Sequence, residues 1–196
     1  MSRRVHRRGA DGYLGGRLLI AMPTMLDPNF EKTVVLLCHH TPETAMGLVI
    51  NRALGGMTFD RLLKQLKIDT PRARRPDLTV HCGGPVQASR GFVLHSNDYR
   101  NDDATLDICE GVALTATMDV LKALGEGEGP ARAFFALGYA GWGAGQLEQE
   151  LQDNAWLIGE PDAALIFESE LDVKWTQALA RLGVDPAMVS DARGHA

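Results

Sequence analysis

Residues 138–146, GYAGWGAGQ, place Gly138, Gly141, Gly143 and Gly145 around Tyr139 and Trp142, directly before a helical stretch. A strand that breaks into a glycine-rich loop and restarts as a helix presents unpaired backbone N–H groups, and such groups hold anions. The spacing is neither G-x-G-x-x-G nor a P-loop, and no Lys accompanies it. The competing reading is a tight bend whose glycines relieve crowded backbone. Gln146 and Glu148 follow on the first turn of the helix. Glu148 and Gln152 lie one turn apart, on a face away from Leu147 and Leu151. Glu148 is a candidate general acid or base, but no partner at fixed spacing supports it over a solvated helix face.

Other polar residues stand at the ends of apolar runs. Asn51 and Arg52 close one run; Arg90 and the pair His95-Ser96 stand at opposite ends of another; Gly83 and Gly84 form a turn before Pro85. Polar groups at strand ends line clefts, and several converging there would bind a carboxylate or phosphate. Alternatively, Arg52 and Arg90 pair with acids such as Asp27 and lock the fold. The candidate cleft therefore comprises Asn51, Arg52, Gly83, Gly84, Arg90, His95, Ser96, Tyr139, Gly141, Trp142, Gln146 and Glu148.

Other chemistries find less support. His39-His40 and His81-Cys82 are adjacent pairs, and neighbours on a strand point to opposite faces, so neither pair chelates well. No metal or other cofactor is expected. Ser96 follows His95 directly and no G-x-S-x-G elbow exists. Cys82 before Gly83-Gly84 has the form of a nucleophile on a turn, yet an inert buried thiol is the commoner case. Trp142, Trp156 and Trp175 read as core anchors.

The elements that would position these residues follow from periodicity. Residues 17–21 (RLLIA) read as a strand stopped by Pro23, and 22–30 as a loop punctuated by Asp27-Pro28. Residues 33–38 (TVVLLC) and 46–50 (MGLVI) are continuous apolar runs, the mark of strands buried on both faces. Phe59, Leu62, Leu63 and Leu66 then recur with helical spacing behind Thr58 as N-cap. Residues 71–76 (PRARRP) read as an exposed connection. Strands are expected at 78–82, 91–95, 106–108, 112–116, 131–139 and, near a sheet edge, 155–158, with polar loop at 97–103. A short helix at Met118, Leu121 and Leu124 should end at Gly125, and a second should open across 141–145 and run to Gln152. Trp175, Ala178, Leu179 and Leu182 form an amphipathic helix, with Gly183 as its C′ residue. Asp185 and Pro186 start a last short helix.

Strands outnumber helices, and tight turns join several neighbours. That pattern predicts an α+β fold with a mixed, largely antiparallel sheet. The 196 residues fit a single domain over 13–196, preceded by an Arg-rich tail over 1–12 that reads as a frayed terminus. The formal net charge of −5 argues against general polyanion binding. No helix-turn-helix, zinc finger or basic helix occurs, so direct nucleic-acid binding is not expected. No apolar run reaches the ~18 residues that a membrane span needs. Three cysteines without a C-x-x-C pair indicate a reducing compartment, and a cytoplasmic location is expected.

Four blocks are distinctive together: 16–34 (GRLLIAMPTMLDPNFEKTV) with GLVIN at 47–51 and Arg52; 83–96 (GGPVQASRGFVLHS); 138–156 (GYAGWGAGQLEQELQDNAW) with Leu157; and the terminal stretch from Trp175. In this order they resemble the YqgE/AlgH family of bacterial proteins across essentially the whole chain after the tail. One departure is Ala53, where the family usually carries Pro. The resemblance implies a large mixed sheet curled towards a barrel with helices around it. It also carries a transcriptional-regulator label, inherited from a link to alginate regulation, and no settled biochemical activity. The expected function is that of a non-enzymatic regulatory or interaction protein whose strand-end cleft meets a protein or a small anionic ligand. The alternative is an enzyme acting on a small anionic substrate, with Arg90 and His95 in the site and Glu148 as acid or base.

Overall fold

The structure, a computed structural model, describes residues 13–69 and 78–187. Along them run β1 (Leu18–Ala21), β2 (Val34–His40), β3 (Thr44–Val49), β4 (Ala53–Thr58), α1 (Phe59–Gln65), β5 (Thr79–Cys82), β6 (Val86–Ser96), β7 (Thr105–Cys109) and β8 (Val112–Thr115). There follow α2 (Met118–Glu126), β9 (Ala133–Gly143), α3 (Gln146–Gln152), β10 (Trp156–Gly159), α4 (Ala163–Phe167) and α5 (Leu171–Arg181). The strands form one curled sheet in the order β10-β1-β2-β3-β9-β6-β8-β7, with the β4–β5 pair attached through β5 to β9. Among the described pairings only β5–β9 is parallel. The fold is therefore α+β with a mixed, largely antiparallel sheet, and β10 occupies an edge.

Alternation along the strands divides the core. Leu18, Ile20, Leu36, Leu48, Phe92, Leu94 and Phe134 face α4 and α5, where Leu165, Ile166, Trp175 and Leu179 cover them. The indole N–H of Trp175 donates to the Ala21 carbonyl at 2.8 Å and fastens α5 to β1. Leu19, Val35, Leu37 and Val49 face the other way, against Trp142, Trp156 and Leu147 of α3. Further along that side, Val80, Val93 and Phe135 are covered by Phe59 and Leu62 of α1 and by Val120 and Leu124 of α2. Each such side chain contributes about 1.5–3 kcal/mol on burial, which explains the unbroken apolar runs in β1 and β2.

Strand β9 is the axis of the fold. Its first half runs between β6 and β5, and its second half pairs with β3 on the edge that β5 has vacated. The switch falls at Gly138. Phe134 and Ala136 lie on the α4–α5 side, whereas Ala140 and Trp142 lie on the α3 side. Strict alternation would keep all four together, so the chain changes face here, with Gly138 at φ 74°. Gly83 and Gly84 pass close by. A Cβ on Gly138 would overlap the Gly84 carbonyl oxygen, and one on Gly84 would overlap the Tyr139 carbonyl carbon.

Several expectations need correction. Gly141 and Gly143 do not open a helix: β9 continues through Gly143, and α3 starts only at Gln146. The glycines look like loop because they lack side chains to pack, yet β3 supplies the ladder that holds them extended. β6 begins at Val86, ahead of the expected 91. α2 runs past Gly125 and is capped by Gly127 at φ 79°. β4, which contains Gly55-Gly56, and the short α4 are additions. The Thr58 cap is present, its hydroxyl accepting from Arg61 N. Asp185 accepts from Ala187 N at 2.9 Å, as a helix start requires. The Arg-rich tail at 1–12, the 71–76 connection and the rest of the terminal stretch lie outside the described residues.

Candidate functional site

Between the start of β3, the end of β9 and the first residues of β6 lies an open groove of about 460 Å³. It is lined by Thr44, Ala45, Met46, Val86, Arg90, Tyr139, Gly141 and Trp142. The groove exists because β6 bulges. Val86 pairs with Tyr139 and Gly91 with Leu137, so the residues between them leave the ladder. Gln87 takes φ 47° to start the excursion, which carries Arg90 out over the sheet. The Arg90 guanidinium stands 5.2 Å from the centre of the Phe92 ring. Its contact with Gln87 Oε1 is long, at 3.4 Å. Among the described residues it forms no ion pair. Tyr139, turned to this side by the Gly138 bulge, meets Phe92 edge-on at 6.1 Å. Trp142 borders the groove while its indole packs on the opposite side, against Phe30 and Trp156. The arrangement is a cation above a partly apolar trough, suited to an anion with an organic body.

Of the sequence candidates, Arg90, Tyr139, Gly141 and Trp142 meet in this groove; the others serve elsewhere. Gly83 and Gly84 form the crossing beneath Tyr139. Asn51 accepts from Val34 N at 2.8 Å and donates to the Lys32 carbonyl at 2.9 Å. Arg52 donates to the carbonyls of Pro28, Asn29 and Glu31 at 2.8–2.9 Å. Its partners are backbone carbonyls rather than Asp27, and it fastens the loop ahead of β2. His95 is fully buried: Nδ1 donates to the Ser96 carbonyl and Nε2 accepts from the Thr115 hydroxyl, both at 2.8 Å. Burial holds its pKa below the usual imidazole range. Ser96 donates to Asp98 Oδ1 at 2.6 Å and accepts from Arg132 N. Asp98 in turn is held below the ordinary carboxylate range, its hydrogen bonds with Ser96 and Ala131 outweighing partial desolvation.

Glu148 accepts from His40 Nε2 at 2.7 Å, while His40 Nδ1 accepts from Leu14 N. The ring is thus held at both nitrogens, between the backbone at Leu14 and the α3 carboxylate. Gln146 accepts from Gly143 N and donates to Glu150. The trio Arg90, His95 and Glu148 is thus not assembled, because neither His95 nor Glu148 lines the groove.

Two groups escape sequence reading. Glu150 gathers the indole N–H groups of Trp142 and Trp156. Lys174 is buried, 1% exposed, on α5. A signal for Lys174 exists: it sits directly before Trp175 on the stripe that Leu171, Ala178 and Leu182 continue, where an apolar residue belongs.

Comparison with known proteins follows the same lines. A family profile described as AlgH-like matches residues 18–187. A UPF0301 protein of Rhodospirillum rubrum is 52% identical over 186 residues, covering 95% of this chain and 96% of its own length. A UPF0301 protein of Bradyrhizobium sp. is 51% identical over 191 residues, covering 94% of this chain and 88% of its own. Among solved structures, the AlgH protein from Pseudomonas aeruginosa superposes with TM-score 0.77 at 43% identity, covering 97% of this chain and all of that one. Protein DIP2367 from Corynebacterium diphtheriae superposes with TM-score 0.71 at 17% identity, over 90% of this chain and 91% of its own, and shares the fold. No helix among the described residues is long and apolar enough to cross a membrane.

Proposed function

The chain belongs to the AlgH-like family, and from that premise we propose that it is a non-enzymatic binding protein whose groove at Arg90 takes a small organic anion. The observation that carries this reading is the state of Arg90. Its guanidinium is raised on a bulge over an aromatic ring, with no carboxylate bonded to it among the described residues. A fork of N–H donors in that position matches a carboxylate or phosphate. Met46, Val86 and Tyr139 supply walls for the rest of the molecule.

Binding is favoured over turnover by what lines the groove. No carboxylate, histidine, cysteine or serine is among its lining residues, so the hydroxyls of Thr44 and Tyr139 have no carboxylate or imidazole lining the groove to activate them. A regulatory role would then act through occupancy of the groove, sensed by a partner protein. Direct DNA contact draws no support from the net charge of −5.

Thermal melting against a panel of organic carboxylates, phosphate esters and nucleotides tests this. A ligand at ~100 times its Kd stabilises the folded state by about 2.7 kcal/mol, a readily measured shift. At least one anion should raise the melting temperature of the wild type and fail to raise that of Arg90→Gln. No shift from any compound, or an equal shift in Arg90→Gln, overturns the reading.

A further inference from the structure

We propose a second binding site, distinct from the groove: the cavity where α4 turns into α5 over β5 and β9 receives a small anion bearing a carboxylate or phosphate, held by the Lys174 ammonium. The cavity measures about 230 Å³, and Thr79, His81, Phe134, Glu168, Glu170 and Lys174 are among its lining residues. It shares no lining residue with the groove.

Lys174 supplies the cation. Its Nζ donates to the Ile166 carbonyl at 2.7 Å and to the Ile50 carbonyl at 3.1 Å. An ammonium has three N–H groups, so one donor is left over at a residue that lines the cavity. Among the described residues no carboxylate forms an ion pair with it. A buried cation without a counter-charge is costly, and burial lowers the Lys174 pKa to about 8. An anion in the cavity supplies both the missing acceptor and the missing charge.

The surroundings agree. His81 is 3% exposed and stacks on Phe134 with ring centres 4.0 Å apart. Among the described residues its buried Nδ1 has no hydrogen-bond partner. Burial, with a smaller contribution from the Lys174 charge, lowers its pKa to about 3, so at neutral pH it is a neutral ring that offers one N–H donor. The eleven-residue α5 starts at Leu171 on the cavity wall, and its dipole adds positive potential there. Glu168 and Glu170 stand exposed at the rim, and Arg132 pairs with Glu168 at 2.8 Å. An acidic rim over a basic floor favours a compact anion over an extended polyanion. A nucleophilic role for Lys174 fits less well. Condensation with a carbonyl compound would leave a neutral imine without N–H groups, and both the Ile50 and Ile166 carbonyls would lose their donor.

The test follows the Lys174 Cε resonance against pH in lysine-labelled wild-type protein. Sodium acetate, sodium phosphate and, as an ionic-strength control, sodium chloride are added in separate arms. A bound counter-anion should move the Lys174 midpoint upward from about 8. The expected shift is about one pH unit, saturable, and larger than that in chloride. A shift with acetate alone identifies a carboxylate site, and a shift with phosphate alone a phosphate site. A midpoint that neither anion moves beyond the chloride control overturns the proposal. So does calorimetric binding of the effective anion that persists unchanged in Lys174→Met.

Discussion

Glu150 accepts the indole N–H of Trp156 at 2.8 Å on the same carboxylate oxygen, Oε2, that accepts from Trp142 at 2.9 Å. Trp142 lies on β9 and Trp156 on β10, and the sheet order places β1, β2 and β3 between those strands. One side chain of α3 therefore spans the curl of the sheet. Gln146 donates to the other oxygen at 2.9 Å and fixes the carboxylate plane. Phe30 completes the cluster, stacked with Trp142 and edge-on to Trp156. The helix behind the glycine block is thus a brace for the sheet.

Removing that carboxylate should be costly. Glu150→Ala leaves two indole N–H groups on buried rings without an acceptor, at about 1–3 kcal/mol each when unsatisfied. We expect a loss of about 2–4 kcal/mol in urea unfolding, with changed tryptophan fluorescence in the native state. Glu150→Gln keeps an acceptor oxygen and should lose less than half as much. Equal losses in the two variants would show that the contact matters through packing rather than hydrogen bonding.

His81 and Lys174 set a pH dependence with a definite sign. The folded pKa of His81 is about 3, against 6.5 for an ordinary imidazole. A depressed value means that the unfolded chain binds the proton first. Stability is then intact above pH 6.5 and drains as pH falls from there towards 3. The slope contributed is about 1.4 kcal/mol per pH unit where only the unfolded imidazole is protonated. His95, also depressed by burial, acts in the same direction. Lys174 extends the trend upward: its pKa of about 8 lies below the ordinary 10.5, so stability rises between those values. Urea unfolding from pH 7 to 4.5 should show the fall, and His81→Leu should flatten it. An unchanged slope in His81→Leu would mean that His95, the other imidazole depressed by burial, governs the acid limb.

Much of the framework is legible from local chemistry. Continuous apolar runs mark β1 and β2 because both faces of the sheet are covered, and Thr58 announces α1 because a hydroxyl there has only the helix N–H groups to serve. The glycine block misleads for a physical reason: glycine is common both in loops and where a sheet changes face, and only the neighbouring strand distinguishes the two. The groove is half legible. Arg90, Tyr139, Gly141 and Trp142 do meet, but whether a polar strand end faces a cleft or a carbonyl depends on contacts distant in sequence. Arg52 finds Pro28, Asn29 and Glu31, and His95 finds Thr115. Lys174 carries a local sign, a charge within an apolar stripe, that outweighs its apparent ordinariness.

Gly138 gives the sharpest test of how fold and groove are joined. It holds φ 74° where β9 changes face, and a Cβ there would overlap the Gly84 carbonyl oxygen. Both strain and collision oppose any side chain, and neither neighbour yields easily, because each is backbone within the crossing of β9 and the turn before β6. Gly138→Ala should cost about 3 kcal/mol or more, well beyond the ~1 kcal/mol of left-handed strain alone. If the variant folds, relief must come from moving the Gly84 segment, which displaces Tyr139 and Val86 in the groove. Gly145, at φ 71° with nothing among the described residues within 4 Å of its Cβ position, is the matched control: Gly145→Ala carries the strain without the collision. Urea unfolding of both variants should separate them by at least ~2 kcal/mol. Similar losses would show that the crossing relaxes freely and that the face change does not depend on glycine packing.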